Sequence, residues 1–108
     1  MKKYIELIEN EKATHLCVEL YYDLGGVSWA TYQQKERGYY LRVVPVKKET
    51  RHGVQMESFV AFTGYSQLIK PVTRKSAKAE TAAETAAAEI LDIMIARVCH
   101  KNGLEVKQ

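Results

Sequence analysis

From Thr73 to Lys101 the chain contains neither glycine nor proline, and alanine recurs at 77, 79, 82, 83, 86, 87, 88 and 96. Alanine is the best helix former, so the run favours one regular conformation. Ala83, Ala87, Ile90, Met94 and Val98 repeat at spacings of three and four, and Leu91 and Ile95 widen the stripe. This spacing predicts a helix over about 74 to 101 with one apolar face, and it puts Ile90 and Met94 in the core. The alanine-rich first half allows close approach of a second layer, and the second half inserts larger side chains into it. Lys101-Asn102-Gly103-Leu104 reads as the stop: a cation in the last turn, a glycine at C′ and an apolar residue at C″, as in a Schellman motif.

The residues ahead of this helix supply the second layer. In Leu16-Cys17-Val18-Glu19-Leu20-Tyr21-Tyr22 the apolar residues alternate, as in a strand with one buried face. Asp23-Leu24-Gly25-Gly26 and Lys35-Glu36-Arg37-Gly38 read as turns. Residues 27–34, which carry Trp29, fit either a short strand or an excursion. Tyr39 to Val46 is the richest run of β-formers, and Pro45 marks it as an edge or a bulged strand. Val54 to Phe62 is expected to pair antiparallel with Tyr39 to Val46 through the turn Thr50-Arg51-His52-Gly53, with Val54, Met56, Val60 and Phe62 on one face. Thr63-Gly64-Tyr65-Ser66 reads as a further hairpin turn before a short strand through Leu68-Ile69, which Pro71 ends. Tyr4, Ile5 and Ile8 sit at helical spacing and predict a short N-terminal helix. The expected fold is therefore α+β: an antiparallel β-meander of three to five strands packed against one long C-terminal α-helix, with a short N-terminal helix. The length, 108 residues, suits a single domain over 1–108.

Apolar stretches are broken by charges well before the ~20 residues that a membrane helix needs, so no membrane partner is expected. Glu6, Glu9 and Glu11 stand where a signal peptide would need its apolar region, which points to an unprocessed, cytoplasmic chain. Cys17 and Cys99 are far apart and belong to no C-x-x-C pair, so they read as free thiols in a reducing compartment. His15 with Cys17 and Cys99 with His100 lack the spacing of zinc ligands, and no metal is expected. No G-x-S-x-G, H-E-x-x-H, P-loop or dinucleotide fingerprint occurs, and the reading is of a non-enzymatic module without a cofactor.

The net charge of +3 is unevenly spread. Lys70, Arg74, Lys75 and Lys78 lie in a stretch without an acid, and the rest of the chain is close to neutral. Three of these cations fall at the start of the helix, where the macrodipole disfavours positive charge by about 0.3 to 1 kcal/mol each. An anion at that end would reverse the penalty, because unpaired N–H groups and cations together make a phosphate site. A plain solvated face is the competing reading. A second basic group, Lys47, Lys48, Arg51 and His52, surrounds Glu49 in a strand-to-strand turn. Tyr21-Tyr22 and Tyr39-Tyr40 each place one ring on either face of the sheet, open to base stacking or to cross-strand packing.

Two resemblances follow from these residues. Arg74-Lys75-Ser76-Ala77-Lys78, opening an alanine-rich helix after a meander, resembles the double-stranded-RNA-binding domain, in which a basic helix entry bridges phosphates across a groove. That resemblance implies phosphate contacts for Lys75 and Lys78; the G-P-x-H loop of that family is missing. Tyr21-Tyr22-Asp23-Leu24-Gly25-Gly26, Gly38-Tyr39-Tyr40-Leu41 with Pro45-Val46, Ala61-Phe62-Thr63-Gly64, Arg74-Lys75-Ser76 and Asn102-Gly103-Leu104 together resemble a group of small uncharacterised proteins of phages and conjugative elements of Gram-positive bacteria. The function expected is an accessory module binding nucleic-acid phosphates through Lys70, Arg74, Lys75 and Lys78, helped by Lys47 and Lys48. The alternative is a protein-interaction module of a mobile element.

Overall fold

The computed structural model describes residues 1–8, 10–27, 32–60 and 62–107. In chain order the elements are β1 (Lys2–Glu6), β2 (His15–Asp23), β3 (Gly26–Val27), β4 (Gln34–Lys35), β5 (Gly38–Arg51), β6 (Val54–Phe59), β7 (Tyr65–Pro71) and α1 (Ala77–Asn102). Strands β1, β2, β5, β6 and β7 form one antiparallel sheet, and β3 and β4 pair only with each other. The α+β meander under one long C-terminal helix is present as expected.

The N-terminal segment corrects the helical reading. It forms β1, paired with β2 so that Lys3 lies opposite Val18 and Ile5 opposite Leu16. Tyr4, Ile5 and Ile8 fit a helical period, but a segment this short cannot nucleate a helix against an open strand edge. Leu7 is buried, and the Asn10 side chain accepts hydrogen bonds from the Lys12 and Ala13 N–H groups to turn the chain into β2.

Strand β5 carries two partners end to end on one edge and β2 on the other. The β5–β6 turn uses only His52 and Gly53, both left-handed with φ of 52° and 77°. Such a two-residue turn sets Arg51 opposite Val54 and Val46 opposite Phe59. The expected pairing of Val54 to Phe62 with Tyr39 to Val46 is thus displaced to the far half of β5. Continued unbroken, that register would set Phe62 opposite Val43, yet Tyr65 stands there. Strands β6 and β7 therefore both pair with β5, on the same edge, and do not pair with each other as a hairpin. Gly64 permits this, because a Cβ on it would lie 2.9 Å from the Val43 carbonyl oxygen and 2.9 Å from Val44 Cγ2. Val54 and Met56 share a face but are exposed, since α1 packs on β5 and β7 and does not reach this hairpin.

Helix α1 starts at Ser76, whose extended backbone (φ −151°, ψ 157°) and hydroxyl, accepting from the Ala79 N–H, make an N-cap. It ends at Gly103 (φ 66°), with the Leu104 N–H bonded to the Cys99 carbonyl at 2.9 Å. Ala83, Ala87, Met94 and Val98 are buried against Leu16, Val18, Leu20, Leu41 and Val43. Ile90, Leu91 and Ile95 flank them half-buried, so Ile90 is less enclosed than its spacing suggested. Beyond the cap, Glu105 and Lys107 hydrogen-bond with Ile8 and Glu6, laying the tail on the outer edge of the first strand. Cys17 is buried and Cys99 half-buried; both are free, and burial raises both thiol pKa values. Among the described residues no helix is long and apolar enough to cross a membrane.

Candidate nucleic-acid interface

The end of β7 and the start of α1 bring the expected basic residues to one end of the molecule. Lys70 lies opposite Tyr39 in the ladder, and the Tyr39 hydroxyl donates to the Ser76 carbonyl at 3.3 Å, tying the helix start to the same end of the sheet. Arg74, Lys75 and Lys78 are exposed around the N-cap, and Lys70 is half-buried. Among the described residues no carboxylate lies within ion-pair distance of any of the four. By contrast Lys35, Arg42, Lys47, Arg51 and Lys107 each have one. Glu80 is the acid of the first helical turn.

Arg37, from the polar turn Lys35-Glu36-Arg37-Gly38, joins this group. Arg37 donates from Nε to the Leu24 carbonyl at 2.9 Å and from a terminal nitrogen to the Thr73 carbonyl at 3.4 Å. Those bonds leave further guanidinium N–H groups free to bind. Arg37 and Arg74 line a shallow, open depression of about 580 Å³ with Glu36, Val72, Thr73 and Ser76. No local pattern announces this role for Arg37, because its partner at Thr73 is distant in the chain.

Lys47 and Lys48 do not belong to the same surface. Lys48 is nine residues along β5 from Tyr39, or about 30 Å at ~3.3 Å per residue. Its ammonium lies 3.8 Å from the centre of the Tyr4 ring, and Lys47 is 4.0 Å from Glu49. The Tyr4 hydroxyl donates to Glu57, so this second basic group is compensated locally.

The paired tyrosines pack across strands. Tyr22 and Tyr39 face the helix with centroids 5.2 Å apart, and Tyr21 stacks on Tyr40 at 5.7 Å on the opposite face. Lys35 closes the second pair: its ammonium is 4.4 Å from the Tyr40 ring and 2.9 Å from an Asp23 carboxylate oxygen. The Lys35 hydrogen bond, with help from the Gly25 N–H, holds Asp23 below its usual carboxylate range, and Asp23 in turn raises the Lys35 ammonium. Burial raises the Tyr40 phenol. Tyr40 therefore has no open ring face to offer a base.

Trp29 lies outside the described residues. Val27 and Gln34, at either end of the undecided segment, pair in the β3–β4 ribbon. Among the described residues no three His, Cys, Asp or Glu side chains converge as a metal site would require. Comparison with protein-family models, with curated proteins and with solved structures finds no match to this chain.

Proposed function

We propose that this protein binds the phosphates of nucleic acid through Lys70, Arg74, Lys75 and Lys78, with Arg37 beside them. The observation that carries this reading is the contrast in pairing. Lys35, Arg42, Lys47, Arg51 and Lys107 sit against carboxylates, and other cations such as Lys48, Arg97 and Lys101 lie over tyrosine rings, whereas these four are gathered within nine residues at one helix start with no carboxylate in ion-pair distance among the described residues. Like charges gathered at a helix start repel one another and oppose the macrodipole, and phosphate oxygens relieve both penalties. Contacts of this kind carry no base information, so binding is largely indifferent to sequence. Fluorescence anisotropy with labelled oligonucleotides at two salt concentrations tests the reading; no affinity even at low salt would refute it.

A protein partner is favoured instead by one feature. Val54 and Met56 are 61% and 47% exposed on an edge strand, a place where another strand can add. This surface is remote from the unpaired cations and does not compete with them for the same ligand.

A further inference from the structure

Six of the seven tyrosines are engaged by neighbouring groups. Tyr4 is covered by Lys48 and edged by His15, Tyr21 stacks on Tyr40, Tyr22 packs on Tyr39, and Arg97 and Lys101 lie about 6 Å from the Tyr65 ring. Tyr32 differs. It is 79% exposed, and among the described residues no ring or cation lies against it. Leu24 and Val27, from the same excursion, are also exposed, at 68% and 54%.

The excursion is tied down at its base. Lys35 is held by Asp23, the Tyr40 hydroxyl donates to the Glu36 carbonyl at 2.6 Å, and Arg37 bridges the Leu24 and Thr73 carbonyls. These bonds fix Arg37, from which the chain leads back to Tyr32, at the end of the molecule that carries the unpaired cations. Five residues of chain separate Tyr32 from Arg37, a reach of at most about 17 Å. An open aromatic face within a few nucleotides' reach of uncompensated guanidinium and ammonium groups is a combination that binds single strands, where bases stack on rings and phosphates follow the cations.

We infer that the ligand of the basic surface is a single-stranded nucleic acid, with a base stacked on Tyr32 and adjoining phosphates on Arg37, Arg74 and Lys75. This rests on the phosphate-binding reading above and narrows its ligand. Bases inside a duplex have both faces occupied by their neighbours and cannot use Tyr32. The stacking surface is thus not the paired tyrosines of the sheet, which their own neighbours cover.

The test is fluorescence anisotropy with a labelled pyrimidine strand of about 16 nucleotides and with the same sequence as a duplex, in low salt. The proteins compared are wild type, Tyr32→Ala, Tyr32→Trp and the triple variant Arg74→Ala, Lys75→Ala, Lys78→Ala. Circular dichroism and thermal melting serve as controls that each variant is folded. Wild type is expected to bind the single strand more tightly than the duplex. Tyr32→Ala should weaken single-strand binding roughly 5- to 150-fold, the range of one lost base stack, and leave duplex binding unchanged. Tyr32→Trp should keep the wild-type affinity. If the triple variant loses binding while Tyr32→Ala binds as wild type, or if the duplex binds more tightly, this inference is overturned and the phosphate reading stands. Failure of wild type to bind either form overturns both and leaves the exposed ring for a protein partner.

Discussion

Asn102, the last residue of α1, holds the backbone of Thr63 by both of its polar groups. The Thr63 N–H donates to Asn102 Oδ1 at 3.0 Å, and Asn102 Nδ2 donates to the Thr63 carbonyl at 2.8 Å. The same Nδ2 also donates to the Val98 carbonyl at 2.8 Å, one turn back along the helix. One side chain thereby ties the last turn of the helix to the backbone of Thr63, between β6 and β7.

Asn102→Ala should destabilise the fold by about 1 to 2 kcal/mol, since it removes three hydrogen bonds whose partners can partly rehydrate. Asn102→Asp should cost at least as much, because a carboxylate would face the Thr63 and Val98 carbonyls without a proton to donate. Urea melts give the loss of stability. Amide exchange should quicken at Thr63, and an unchanged exchange rate there would show that the clamp does not hold this segment.

Met94 and Ile90 should part company on truncation. Met94 is 2% exposed, and Met94→Ala should cost on the order of 2 to 5 kcal/mol, a large share of a typical domain's 5 to 15 kcal/mol. Ile90 is only half-buried, so Ile90→Ala should fall at or below about 2 kcal/mol, the low end of the same range. Equal midpoint shifts in urea would contradict the burial difference.

The basic surface should show itself in the salt dependence of binding. Neutralising about three or four phosphates gives a slope of log K against log salt of roughly −3 on B-form duplex, and a shallower one on single strands. Replacing Arg74, Lys75 and Lys78 by alanine should weaken binding and flatten the slope, while the helix is unharmed or slightly stabilised by relief of the dipole penalty. Replacing Lys47 and Lys48 should change the slope little, because their charge is compensated locally. A steeper loss from the second pair than from the first would move the site to the hairpin.

Acid should loosen the contact between Asp23 and Lys35. The folded carboxyl titrates below its ordinary value of 3.8, so its contribution is present above that value and disappears as the pH falls through the lowered one. Lys35 behaves in the opposite sense: its raised ammonium contributes below 10.5 and loses that contribution as the pH rises through the higher folded value. Both groups are partly exposed, so the effect is confined to the base of the β3–β4 excursion and does not unfold the domain. Carbon-detected NMR titration of the Asp23 carboxyl should give a midpoint below 3.8, and Lys35→Ala should return it toward that value.

Local chemistry was sufficient for α1 and its ends. A run without glycine or proline, an apolar stripe of period near 3.6, and Gly103 followed by Leu104 each depend on residues within a turn or two of one another. The alternation in β2 and the β-rich run of β5 were legible for the same reason, as was the gathering of Lys70, Arg74, Lys75 and Lys78, which are neighbours in the chain. Three other features were decided by contacts between distant residues. The first segment became a strand because β2 offered it an edge. The second partner of β5 was split in two because a two-residue turn at His52 and Gly53 set a register that β7 does not continue. Arg37 was brought beside the basic surface, and Lys47 and Lys48 taken away from it, by the length of β5 and by bonds such as that from Arg37 to the Thr73 carbonyl. Periodicity and propensity report what one element prefers; they carry no information about which edge, carbonyl or ring another element will present to it.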